Sequence, residues 1–249
     1  MTAASSLPDV SSTDARAAEP PTLALRNVQA AYGDTTVLRN FSIEVPQRSV
    51  VALLGPNGAG KTTVMRLVSG TLKPIAGTIS LNGEDVTDTS AHRRASSGIC
   101  LIPEGRGIFR SLSVKENLEL FRPTSSRETS LDDVLEVFPV LATRLDQVAG
   151  TLSGGEQQML ALARAFFTTP KIVLVDEVSI GLAPKIVDQI FEILSRLARE
   201  GVSLLIVEQY VRRALDLAET VYLLNRGEVV LSGSTSDVTY DDVAEAYLR

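Results

Sequence analysis

The sequence predicts an α/β fold with a mixed, largely parallel sheet and an inserted helical subdomain. Three observations carry that prediction. From Thr22 onward, short β-branched runs alternate with longer amphipathic stretches. A glycine-rich loop at 55–60 follows one of those runs and opens a helical pattern. Between Ile102 and Ile172 no convincing strand occurs, and helical patterns fill the gap.

In chain order, the first 21 residues hold two Ser-Ser pairs with Pro8, Pro20 and Pro21. They lack the basic start and apolar run of a secretory signal, and they read as a disordered tail. Strands follow at 23–28, 41–45, 50–54, 78–81 and 99–102, each a short run of β-branched and apolar residues. The stretches 114–121, 131–138 and 156–167 read as helices. Residues 103–155 are therefore expected to form the helical subdomain, between core segments 22–102 and 156–249. Strands resume at 172–175, 203–207, 221–224 and 228–231. The longest apolar runs, 50–54, 172–175 and 204–207, fall far short of the ~18 residues a membrane helix needs.

A chain of 249 residues, 44% hydrophobic and 22% charged, is long enough to bury a sizeable core. Its 24 basic and 30 acidic side chains leave a net charge of −6, which argues against a nucleic-acid partner, since phosphate binding wants a basic face. Cys100 is the single cysteine and cannot form an internal disulfide, so a reducing compartment is expected. The single histidine, His92, excludes a histidine metal cluster and leaves a Ser/His/Asp triad only if it serves itself. It lies beside Arg93 and Arg94 in a polar helical stretch read as a solvated face.

The run Gly55-Pro56-Asn57-Gly58-Ala59-Gly60-Lys61-Thr62-Thr63 follows an apolar strand and opens a helix, the context a P-loop requires. Its glycines let backbone N–H groups converge on the β- and γ-phosphates of a nucleotide, and the helix N-terminus adds partial positive charge. Lys61 supplies a mobile cation for the terminal phosphates, and the Thr62 hydroxyl is placed to ligate Mg²⁺.

A second site follows the strand at 172–175, where Asp176 and Glu177 are delivered to the sheet's C-terminal edge. Taken alone, two acids after a strand are equally consistent with a helix cap or turn. Paired with a P-loop, Asp176 reads as part of the magnesium shell and Glu177 as the group that polarises the attacking water. Tyr32, beside Gly33 and 23 residues before Gly55, is a candidate for stacking on an adenine ring; packing at a strand end is the plainer reading.

Leu152-Ser153-Gly154-Gly155-Glu156-Gln157-Gln158 precedes an amphipathic helix. Ser153 and Glu156 have the spacing of a capping box. Two glycines in a first helical turn each cost up to ~1 kcal/mol relative to alanine. A cap alone does not need them, whereas an anion approaching bare backbone does.

With the P-loop, this signature and Asp176-Glu177 in that order, residues 22–249 resemble the ATP-binding cassette (ABC) ATPases, a P-loop NTPase family. The resemblance implies ATP and Mg²⁺ as ligands. It also implies a head-to-tail dimer in which each ATP lies between one subunit's P-loop and the other's Ser153, Gly154, Gly155 and Glu156. The finer resemblance is to one of the two paired ATPase types of branched-chain amino acid importers, carried by Ile102-Pro103-Glu104-Gly105-Arg106, the stretch 149–161, Ser179-Ile180-Gly181-Leu182-Ala183-Pro184, Val207-Glu208-Gln209 and Glu245-Ala246-Tyr247-Leu248. Urea importer ATPases look similar. The implied assembly is a second cassette, two transmembrane permeases and an external solute-binding protein, with this chain peripheral on the cytoplasmic face of the membrane.

Most cassettes carry glutamine where Glu104 stands, histidine where Gln209 stands and aspartate where Ala183 stands; the resembled subfamily shares these changes. Glu104 still reaches Mg²⁺ or its water, although an ionised carboxylate donates no hydrogen bond; a solvent-facing loop acid is the alternative. Gln209 donates an amide hydrogen bond to the γ-phosphate but cannot become a cation. Slower hydrolysis at this chain's P-loop and a histidine-bearing partner cassette are therefore expected. Val178 replaces the usual proline after the catalytic glutamate, which is expected to loosen that turn. Ile108 and Phe109, among cations after Glu104, are candidates for docking the permease, with packing inside the helical subdomain equally consistent.

Overall fold

The computed structural model describes residues 19–122, 129–238 and 242–243. Most of the segment read as a tail, and the stretch 245–248, lie outside the described residues. Pro20 is described, and its carbonyl accepts a hydrogen bond from Gln47 Nε2 (3.0 Å).

The expected strands appear, several of them longer than their sequence signal. β1 (Leu23–Tyr32) pairs antiparallel with β2 (Thr35–Val45) and β4 (Ala76–Leu81), and β5 (Glu84–Asp85) closes the edge, giving a separate sheet in the order β2-β1-β4-β5. The sequence pattern did not separate this antiparallel sheet from the parallel one. Its register shifts near Asn27 (φ 51°), and Asn40 in β2 is also left-handed (φ 48°). Such irregularities break the period of two on which a strand reading depends.

The main sheet runs β10-β9-β3-β8-β7-β6, built from β3 (Val50–Leu54), β6 (Ile99–Ile102), β7 (Ile172–Asp176), β8 (Ser203–Val207), β9 (Thr220–Asn225) and β10 (Glu228–Ser234). Pairings β3–β8, β3–β9, β7–β8 and β6–β7 are parallel, and only β10–β9 is antiparallel. The central strands are apolar throughout because both faces are covered. Val50, Ala52 and Leu54 enter one core while Val51 and Leu53 enter the other, and Val173 and Val175 part from Ile172 and Leu174 in the same way.

One core joins the antiparallel sheet to α1 (Lys61–Ser69) and this face of the main sheet. The other is capped by helices. After β6 come α3 (Val114–Phe121), α4 (Leu131–Val137) and α5 (Pro139–Ala142), then α6 (Gly154–Thr168), α7 (Pro184–Arg199) and α8 (Val211–Leu217). Earlier in the chain, α2 (Ala91–Ser96) carries Arg94, which is 1% exposed and donates to the carbonyls of Leu67 and Val68 at the end of α1 and of Thr87. No helix among the described residues is long and apolar enough to cross a membrane.

Because β3, β8, β7 and β6 are neighbours and parallel, their C-terminal ends share one edge. That edge receives the P-loop, Gln209, Asp176-Glu177 and Glu104, each immediately beyond its own strand or nearly so. Ligands of open α/β sheets bind at this edge.

Candidate functional site

The loop after β3 packs too tightly for a side chain at its two ends, Gly55 and Gly60. A Cβ on Gly55 (φ 154°) would lie 2.1 Å from the Leu224 carbonyl oxygen of β9, so alanine there displaces backbone. Gly60 (φ 114°) then serves as N-cap of α1 without a side-chain cap, leaving the first N–H groups of the helix for a ligand. Lys61 is 5% exposed, and its Nζ donates to the carbonyls of Gly55 (2.8 Å) and Pro56 (3.1 Å). The same ammonium lies 3.6 Å from Glu177 Oε1, so the cradle and the carboxylate site are in direct electrostatic contact.

A cavity of about 500 Å³ is lined by Asn57, Lys61, Thr62, Glu104, Glu177 and Gln209, with Gly58, Gly60 and Thr63 on its cradle wall. The residues singled out after four different strands therefore meet in one place. Asp176 sits behind them, 5% exposed, and its buried Oδ1 has no hydrogen-bond partner. Burial, with the neighbouring charges of Glu177 and Glu104, pushes the Asp176 carboxyl up to about 6, against the opposing pull of Lys61 and Arg66. A buried carboxylate oxygen without a partner, among further acids, fits a divalent cation. Among the described residues there is no cluster of three or more His, Cys, Asp or Glu that could hold a metal alone. Magnesium suits that economy, since it takes one or two carboxylates and completes its shell with water and phosphate oxygens.

Glu177 has φ 50°, left-handed for a residue with a Cβ, and its N–H donates to Val207 O (2.8 Å). Val178 is 2% exposed and buried in the core beside it. Sequence reasoning missed Glu208. Its carboxylate, 1% exposed, accepts hydrogen bonds from Ser179 N (3.2 Å), Ser179 Oγ and Gln209 N (3.2 Å). Burial raises its pKa against those hydrogen bonds. An acid directly after five buried strand residues was the available signal.

The signature lies apart from this cavity. Ser153 caps α6 through Glu156 N (3.3 Å), and Ser153 N donates to Glu156 Oε2 (2.8 Å), so the capping box is real. The hydrogen bonds from Ser153 hold the Glu156 carboxyl below its usual range, with Arg144 adding to the effect. Gly155 has a reason inside the chain: a Cβ there would meet Ile186 Cγ2 at 2.9 Å. At Gly154 it would meet Arg106 Nη2 at 3.1 Å. Gly155 thus has a packing reason beside the expected approach of an anion, whereas at Gly154 only the mobile end of an arginine would have to give. Gly155 and Glu156 instead line a larger cavity of about 640 Å³ between α5, α6 and α7.

Two arginines tie the Glu104 loop to α6. Arg106 Nη1 donates to Gln157 Oε1, and Gln157 Nε2 donates to Leu152 O (3.0 Å). Arg164 donates to the carbonyls of Leu101 and Gly107 and stacks 4.5 Å from the Phe121 ring centroid. Tyr32 is 41% exposed at the end of β1, outside the cavity lining. Its hydroxyl accepts from Arg66 Nη1 (3.2 Å), whose guanidinium lies 5.8 Å from the ring centroid. Phe109 is 52% exposed, whereas Ile108 packs partly against the core. Cys100 is buried, which pushes its thiol up to about 11, as expected of a core residue.

Residues 38–179 match the family model described as ABC transporter. The chain belongs to the ABC transporter family, as an ATP-binding cassette. It is 41% identical over 230 residues to the high-affinity branched-chain amino acid transport ATP-binding protein BraG of Pseudomonas aeruginosa, covering 91% of this chain and 99% of that one. It is 34% identical to the probable branched-chain amino acid transport ATP-binding protein LivF of Archaeoglobus fulgidus (86% and 93% covered). With the lipopolysaccharide export ATP-binding protein LptB of Haemophilus influenzae it shares 35% (91% and 96%). Among solved structures, the ADP conformation of an ATP-binding cassette of an ABC transporter superposes with a TM-score of 0.80 at 26% identity, covering 92% and 98%. ABC cassettes bind and hydrolyse ATP, and this chain is an ATPase of that type.

Proposed function

We propose that this chain powers an importer of branched-chain or other small apolar amino acids by hydrolysing ATP at its P-loop edge. The observation that supports the chemistry most is the single cavity lined by the P-loop, Glu104, Glu177 and Gln209, with the unpartnered Asp176 oxygen behind it. Glu177 is the general base that takes the proton of the attacking water, Lys61 neutralises the terminal phosphates, and Gln209 donates its amide to the γ-phosphate. Asp176 and the Thr62 hydroxyl would hold magnesium, with Glu104 reaching it or its water. Bound there, the ion neutralises phosphate charge. Tyr32 offers its ring to the adenine.

The cargo reading leans on the identity with BraG, higher than that with LptB. An importer of urea or amides, or a non-transport cassette, is the alternative. Ser153, Gly154, Gly155 and Glu156 serve the ATP of a second cassette, since they do not line this chain's cradle. Gln209 points to a histidine-bearing partner, giving two unequal sites. The assembly includes two permeases, contacted through the subdomain 103–155, and an external solute-binding protein; it includes no nucleic acid. The chain sits peripherally on the cytoplasmic face of the membrane.

Isolation of the chain from gently solubilised native membranes, with mass spectrometry of what accompanies it, tests this. Two permeases and a second cassette are expected. Recovery only as a soluble homodimer would remove the transport role and leave the ATPase chemistry.

A further inference from the structure

The β7–β8 ladder ends at Asp176 opposite Val207, yet the two chains stay tied beyond it. Glu177 N–H donates to Val207 O at 2.8 Å. One residue further along each chain the backbone pairing stops and a side chain takes over. Glu208 Oε1 accepts from Ser179 N at 3.2 Å, and its Oε2 accepts from Ser179 Oγ and from Gln209 N at 3.2 Å. Both residues are shut away from water, Ser179 at 0% and Glu208 at 1% exposure.

The position of this carboxylate matters because of what it joins. Glu177 occupies a left-handed conformation at φ 50°, which persists in a non-glycine residue only where the surroundings over-determine it. Its own N–H supplies one tie, and the buried Val178 side chain supplies packing. Ser179 supplies the other end of the turn, fixed to Glu208 twice. The same carboxylate fixes the backbone of Gln209. Glu177 and Gln209 line one cavity from two different strands, and Glu208 is the group bonded to both turns. Placing a carboxylate where water is excluded carries a desolvation cost, and an apolar side chain would fill the space without it. Hydrogen bonds to two separate turns are what the carboxylate adds.

We propose that Glu208, with Ser179, is a positioning residue for hydrolysis. It holds the Glu177 turn and the Gln209 backbone in one geometry, so that base and phosphate donor face the same terminal phosphate. This rests on the reading of Glu177 as general base. Departure from the reactive geometry by about 1 Å is enough to lower turnover about 100-fold without touching nucleotide affinity.

The test measures Mg-ATP turnover, KM and ATP affinity on the purified full chain for Glu208→Gln, Ser179→Ala and the double variant, each with and without Glu177→Gln. Expected for Glu208→Gln are a kcat lower by about 10–100-fold, with KM and ATP affinity within about twofold of the parent. Ser179→Ala lowers kcat similarly, and the double variant is no slower than the worse single, because both act through one contact. In the Glu177→Gln background, Glu208→Gln costs clearly less than in the parent, because only the Gln209 contact is left to lose, whereas a general weakening of the fold costs the same in both. Turnover within twofold of the parent, or an equal further loss in the Glu177→Gln background, overturns the proposal. If Glu208→Gln fails to fold, Ser179→Ala decides by the same criteria. If Glu177→Gln itself keeps full turnover, the general-base reading falls and this inference with it. If Glu177→Gln is inactive and Glu208→Gln fully active, only this inference falls.

Discussion

At the P-loop a Cβ on Gly55 would run into the Leu224 carbonyl, and Lys61 folds onto the carbonyls of its own loop beside Glu177. At the signature a Cβ on Gly155 would run into Ile186, and Ser153 and Glu156 cap each other. Both regions are glycine-rich strand–helix or loop–helix junctions, and in each at least one glycine, Gly55 and Gly155, is demanded by packing. They differ in what is left over. The P-loop edge leaves an unpartnered Asp176 oxygen, a cavity and several charges converging on it. At the signature the side chains that the capping box needs are already satisfied. A tightly packed glycine therefore does not tell the two apart, and chemistry is marked by polar groups the fold has not used. The first region is read as the nucleotide-holding end of a site and the second as the end that completes the same site on another cassette.

The largest effect that separates the two regions is expected from Glu177→Gln. Removing the general base should lower turnover by about 10²–10⁴-fold while ATP still binds and the closed dimer accumulates. Undiminished hydrolysis would remove Glu177 as the general base of the P-loop edge. Ser153→Arg should come next. It leaves the ATP affinity of this chain's own cradle unchanged but lowers turnover at the composite site on its partner by about 100-fold. Loss of the cap adds about 1 kcal/mol of destabilisation, read separately by thermal melting. Loss of local ATP affinity would make the signature part of this chain's own site and end the comparison. Lys61→Ala removes charge-assisted hydrogen bonds and should weaken ATP binding by about 1.5–3 kcal/mol, measured by titration calorimetry. Normal affinity would contradict the cradle.

How legible these regions were in the sequence depends on the same physics. The central strands were readable because burial on both faces makes them apolar without interruption, as in 50–54 and 172–175. The antiparallel sheet was underread at 29–32 and 35–40, where left-handed Asn27 and Asn40 disturb the alternation. The cradle residues and Asp176-Glu177 were readable because their chemistry needs fixed neighbours in sequence. Glu208, Ser179, Arg106 and Gln157 were not, because their partners come from other strands and loops: Ser179 meets Glu208 across 29 positions and Arg106 meets Gln157 across 51. Val178 illustrates the limit from the other side. The missing proline suggested a looser turn, while the buried Val178 side chain and the Glu208 carboxylate that hold that turn are announced by no local pattern.

A smaller effect sharpens the signature half. Gly155→Ala should lower stability by about 1 kcal/mol, the overpacking against Ile186 exceeding the gain in helix propensity. For a chain of this size that is about 2–4 °C in Tm. Measured against Ile186→Ala alone, Gly155→Ala should then cost nothing, because the Cγ2, Cγ1 and Cδ1 atoms that the new methyl would meet are gone. A rise in Tm from Gly155→Ala alone would show that packing does not demand the glycine, and would return the approach of an anion as its reason.

The smallest expected effect is a gain. Gln209 lines the cavity, and its amide can donate only a neutral hydrogen bond, whereas histidine at that position donates a charge-assisted one when protonated. Gln209→His should therefore raise turnover of the purified full chain about threefold, equivalent to about 0.7 kcal/mol in the barrier. The sign with pH is set by the imidazole. The advantage is fully present below its pKa of about 6.5 and is lost as pH rises through it, whereas the parent chain has no titrating group at that position. A pH profile in which parent and variant differ in acid and converge in alkali is the expected result. A variant slower than its parent at every pH would mean that the edge, from Glu208 outward, is built around an uncharged amide, and that the Gln209 position is tuned to Glu104 and Glu177 rather than weakened relative to histidine.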